Sequence, residues 1–128
     1  MMKKNDGITL RQIVERASAR RTRTGVFYAH QSGHGDYNSH IEISFPKGKP
    51  VMVEYSPWSK ALPHVHDAYV GIPTSLWDVA HTVSSAPENT AAQFNAIMDI
   101  TGDWKLASAL PHLWEDWVLA ALGFEAVA

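Results

Sequence analysis

The chain has no cysteine among its 128 residues. That excludes disulfides, thiolate catalysis and any zinc or iron–sulfur site built on cysteine, and it fits a reducing compartment. No apolar run approaches the ~20 residues needed to span a bilayer, so no membrane partner is expected. The first residues, Met1-Met2-Lys3-Lys4-Asn5-Asp6, carry positive charge with no apolar stretch behind them, which is not the pattern of a secretory signal. A cytoplasmic location is the expectation. Catalytic and nucleotide-binding signatures are also missing. There is no Gly-x-Ser-x-Gly elbow, no His-Glu-x-x-His, and no P-loop or dinucleotide fingerprint, so each chemistry those motifs mark has no direct support. Gly33-His34-Gly35-Asp36 has two glycines but no lysine, and its aspartate would repel phosphate.

What remains is a chain with 45% apolar and 19% charged residues, ordinary values for a folded globular protein. Its length suits one domain, residues 1–128, with a core that needs no staples. The net charge of −2 hides a division. Residues 1–25 hold Lys3, Lys4, Arg11, Arg16, Arg20, Arg21 and Arg23 against Asp6 and Glu15, whereas the remainder holds eleven acids against four lysines. Such asymmetry marks either a basic edge for an outside partner or internal pairing of a basic helix with an acidic body.

Leu10, Ile13, Val14 and Ala17 follow a 3.6-residue period and predict a first helix. Thr9 with Gln12 three residues on reads as a capping box, and Ile8 as a staple on Ile13. Gly25 ends that helix. Val26 to His30 is strand-like, Gln31 to Asn38 reads as a polar loop, and Ile41, Ile43 and Phe45 alternate with polar neighbours. After the Pro46–Pro50 turn, Val51, Val53 and Tyr55 alternate again, which makes a hairpin. Val65 to Ile72 is a short fourth strand candidate. Beyond Pro73 the pattern turns helical: Leu76, Val79, Ala80 and Val83 form one stripe, and Ala91, Phe94, Ile97 and Met98 a second, closed by Gly102. Asp103 caps a short turn, and Pro111 opens a last helix through Trp114, Trp117 and Leu122, stopped by Gly123. Strands and helices are segregated, which predicts an α+β fold: an N-terminal helix, a three- to four-stranded antiparallel sheet, then three to four C-terminal helices.

Two groups of residues carry functional expectations. Five of the seven histidines lie between positions 30 and 66. His64 and His66 flank Val65, so on an extended segment both imidazoles share one face. With Asp67, His30 and His34 they form the candidate metal set, suited to zinc, manganese or non-haem iron. Without metal, a histidine held by Asp36 or Asp67 is an acid–base candidate. The second group is Arg16, Arg20, Arg21 and Arg23 with Trp58 and Trp104, the candidate partner-binding set of a basic edge and two tryptophan anchors. Trp114 and Trp117 sit three apart at helical spacing, where tryptophan is usually core. Nucleic acid is a further possible partner of the basic helix. The helix–strand–strand–strand–helix order resembles double-stranded-RNA-binding domains in topology alone, because Thr74-Ser75-Leu76-Trp77-Asp78 stands where basic residues are expected.

The expected function is a small non-enzymatic protein that acts stoichiometrically on a macromolecular protein partner, like inhibitors or immunity factors of phages and mobile elements, with no cofactor. The alternative is a histidine-based hydrolase, acid–base or dependent on a divalent metal such as zinc.

Overall fold

The computed structural model describes residues 7–32, 37–59, 68–80 and 88–124, with side chains throughout except at 31–32, 37–39, 56–59, 68–70 and 88–92. Helix α1 spans Leu10–Ala19 and is followed by strands β1 (Val26–Ser32), β2 (Tyr37–Ser44), β3 (Met52–Ser59) and β4 (Ala68–Gly71). Helices α2 (Glu88–Thr101), α3 (Trp104–Ala109) and α4 (Asp116–Ala121) complete the chain, with 3-10 turns at Thr74–Leu76 and Leu110–Trp114. The α+β arrangement expected from the sequence is the one observed. The sheet is antiparallel in the order β1-β2-β3-β4, and its ladders run without a bulge. Strands β1 and β2 reach further than the hydrophobic alternation suggests: Gln31 and Ser32 pair with Ser39 and Asn38, inside the stretch expected to be loop.

Alternation decides which face of the sheet is buried. Phe27, Ala29, Ile41, Ile43, Val53 and Tyr55 are buried, while Tyr28, His40, Glu42 and Glu54 stand on the opposite face with full or partial access to water. The inner face joins the predicted stripe of α1 (Leu10, Ile13, Val14, Ala17) with Leu106, Leu110, Leu113, Trp114, Val118 and Leu122 in one hydrophobic core. Trp114 is buried as expected, and its indole N–H donates to the Ile8 carbonyl at 2.7 Å, giving its one polar atom a partner.

The start of α1 shows how local and long-range bonds combine. The capping box forms: Thr9 Oγ1 accepts the Gln12 amide, and Gln12 Oε1 accepts the Thr9 amide at 2.8 Å. The Leu10 and Arg11 amides have no carbonyl within the helix to donate to. They donate instead to the carbonyls of Val79 and Trp77, both at 2.8 Å, and Thr9 bridges Ala80. This corrects the helix expected from Leu76 to Val83. Among the described residues only the 3-10 turn at Thr74–Leu76 forms, and the Trp77 and Val79 carbonyls that a longer helix would have used internally accept from α1 instead. Val83 lies outside the described residues.

The last helix is corrected too. A single helix was expected from Pro111, but Glu115 is extended (φ −67, ψ 147) and separates the 3-10 turn from α4. The helix stops at Gly102 and Gly123 occur as predicted, at φ +67 and +84, where only glycine is unstrained. Asp103 caps α3 by accepting the amides of Lys105 and Leu106.

Candidate functional site

The break at Glu115 builds the tightest polar cluster of the described residues. His112, on the 3-10 turn, places Nδ1 2.6 Å from Glu115 Oε2, and the Trp117 indole N–H donates to Glu115 Oε1 at 2.9 Å. Glu115 therefore has one partner on each side of its break, which a continuous helix would not allow. The imidazole stacks on the Tyr55 ring of β3, centroids 3.8 Å apart and planes 7° apart. Burial of Glu115 works to raise its pKa. The bonds from His112 and Trp117 and the charge on His112 outweigh it, so the carboxyl is held below its ordinary range. A carboxylate at Nδ1 fixes the imidazole orientation and leaves Nε2 to exchange protons, the geometry of an oriented general base. No described hydroxyl hydrogen-bonds that ring.

A second histidine cluster lies on the open face of the sheet. His40 Nε2 is 3.4 Å from Glu54 Oε1, and its ring stacks on Tyr28 at 5.6 Å and 28°. His30 is exposed and pairs with His40 across the β1–β2 ladder. Of the candidate metal set, His30 alone is described; His34, His64, His66 and Asp67 lie outside the described residues. Among the described residues no three His, Asp or Glu side chains converge as metal ligands. The chain re-enters the sheet after Asp67 at Ala68, opposite Tyr55.

The basic group divides. Arg16 is turned inward on its own chain: its guanidinium donates to the Gly123 carbonyl at 2.9 Å and stacks on Phe124 at 4.3 Å, so a cation stands at the carboxyl end of α4. Arg20 fills the space a Cβ at Gly123 would take. Arg21 donates to the Ser18 carbonyl and hydroxyl and lies over Phe45. Arg23 is exposed in the turn before β1. Among the described residues Arg11 alone pairs with an acid of the body, Asp78 at 3.4 Å, and both side chains are largely exposed. Internal anchoring by helix ends, more than ion pairing, accounts for the basic helix.

Trp58 pairs with Asn38 in the β2–β3 ladder, and its side chain lies outside the described residues. Trp104 is 62% exposed at the start of α3, and Ile100, 48% exposed, stands across the Gly102 turn at the end of α2. Sequence reasoning missed Ile100 and the whole His112–Glu115–Trp117–Tyr55 cluster. The spacing His-x-x-Glu was visible, but a helical reading hid the turn that lets Glu115 meet both neighbours. Among the described residues two buried polar groups, the Trp77 indole N–H and the Gln93 side-chain amide, have no hydrogen-bond partner.

Comparison of the chain with protein-family models, with curated proteins and with solved structures gives no match. No helix of the described residues is long and apolar enough to cross a membrane.

Proposed function

We propose that this chain is a small non-enzymatic binding protein that engages a macromolecular protein partner stoichiometrically, in the manner of inhibitors or immunity factors of phages and mobile elements. The observation that carries this reading is Trp104, exposed by 62% at the start of α3, with Ile100 exposed at the end of α2. Large apolar side chains at a rigid, capped helix start make effective anchors, since burying one contributes about 2 kcal/mol or more at an interface centre. Asp103 fixes that start through two backbone bonds, so little ordering remains to be lost on binding.

The test is capture of a partner at equimolar saturation by the intact protein, followed by the same titration with Trp104→Ala. A weakening of about 30-fold with an unchanged melting temperature is the expected result. Capture that never saturates, or that ignores the substitution, removes the reading.

The held imidazole of His112 favours a second reading, an acid–base hydrolase. Hydrolysis of a simple phosphodiester or ester that disappears in His112→Ala while the fold persists would establish it. Absence of turnover in the intact protein discards it.

A further inference from the structure

We infer that the outer edge of β1 is a docking site for an extended, acidic segment of a partner protein, which adds to the sheet as a fifth strand. This deepens the binding reading above and rests on it for the existence of a partner, but its geometry is independent of Trp104.

The argument begins with the ladder. In an antiparallel pair, backbone groups point alternately toward the neighbouring strand and away from it. The Phe45 amide donates to the Gly25 carbonyl at 2.9 Å, which fixes the phase. Phe27 and Ala29 then direct their backbone groups to β2, and Val26, Tyr28 and His30 direct theirs outward. The next neighbour confirms that phase: on the outer side, the Val26 carbonyl accepts the Thr22 amide at 2.9 Å and the Val26 amide donates to Thr22 Oγ1. Past that point no described residue bonds the backbone of Tyr28 or His30.

Sheet edges usually carry a protective device such as a charge, a proline, a bulge or a covering element. Strand β1, Val-Phe-Tyr-Ala-His-Gln-Ser, contains no Lys, Arg, Asp, Glu or Pro, and its ladder is regular. Among the described residues the one device on β1 is Thr22, which closes the edge at Val26 and does not reach Tyr28 or His30.

Charge selects the occupant. The loop that closes the edge carries Arg20, Arg21 and Arg23, all exposed, at the Val26 end of β1. A strand added antiparallel to β1 would bring its carboxyl end to this arginine-bearing loop, in which Arg21 also bonds Ser18 and Arg20 also reaches Gly123. An extended segment with acidic residues at that end gains backbone hydrogen bonds from the edge and steering from the arginines.

Amide hydrogen exchange on the full chain is the first test. Tyr28 and His30 should exchange at least about 10-fold faster than Phe27 and Ala29 in the same strand. Equal protection means that the edge is already covered and overturns the inference, whatever Trp104→Ala does to capture. Protection of Tyr28 and His30 that grows with protein concentration assigns the edge to a second copy and overturns it as well. The second test uses a synthetic peptide of alternating valine and threonine with glutamates at its carboxyl end. It should protect the Tyr28 and His30 amides, and a version with lysines in place of the glutamates should bind at least about 10-fold more weakly at low salt. Equal binding of the two overturns the charge assignment. His30→Pro should fold, because proline is tolerated where the N–H faces away from the sheet, and should lose peptide binding. If that variant unfolds, the His30 amide is not outward and the edge is not open.

Discussion

His40 and His112 keep the same company, one glutamate and one tyrosine each, yet they form very different structures. The four ionisable side chains are almost equally exposed, 31% and 33% for His40 and Glu54 against 33% and 38% for His112 and Glu115. The contacts are not equal. His40 stands 3.4 Å from its glutamate and 5.6 Å from its tyrosine centroid, whereas His112 stands 2.6 Å and 3.8 Å from its own. What differs lies behind the imidazole. Tyr28 is 52% exposed on the open sheet face, and Tyr55 is 8% exposed as part of the core. A ring fixed by packing provides a flat surface of defined position, and a carboxylate gripped by Trp117 provides a defined acceptor. Fractional exposure alone does not describe a polar cluster; the rigidity of its neighbours sets its geometry.

The largest effect that separates the two clusters should come from their tyrosines. Tyr55→Ala is expected to cost about 3 kcal/mol, from the cavity it leaves and the lost stack, while Tyr28→Ala should stay within about 0.5 kcal/mol. Urea unfolding of both variants checks the pair, and similar losses would dissolve the distinction. Next come the histidines. His112→Ala should cost about 1–2 kcal/mol, since it removes a charge-assisted bond together with a stack, against about 0.5 kcal/mol or less for the solvent-facing His40→Ala.

The smallest effect lies in pH. Because the folded protein holds the Glu115 carboxyl below its ordinary value, the folded state binds fewer protons than the unfolded one as pH falls past about 4.3, the unfolded carboxyl value. Glu115 therefore contributes stability above that pH and loses it as the pH drops through the lowered value. With the group more than a third exposed, solvent screening limits the contribution to about 1 kcal/mol or less. Glu115→Gln should flatten the acid limb of stability by that amount, and a variant that keeps the full acid slope would assign the slope to other carboxylates.

Much of the fold was legible because its determinants are local. The Thr9–Gln12 capping box, the alternation of Ile41, Ile43 and Val53, the Asp103 cap and the glycine stops at 102 and 123 each depend on residues a few positions apart. The sequence also marked Trp104 as exposed and Trp114 as core. It did not show that Arg16 would cap α4, since that contact joins residues 107 positions apart.

The amino-acid sequence by itself thus determined most of the element types, their segregation into an α+β fold and the faces that α1 and the central strands bury, because hydrophobic period and capping chemistry are properties of short segments. Tertiary structure alone decided that the Trp77 and Val79 carbonyls meet the amino end of α1 and that Glu115 breaks the last helix to join His112 with Trp117. In each case the deciding quantity is the satisfaction of a polar group by a partner distant along the chain or beyond a change of backbone direction, and no local period encodes which partner that will be.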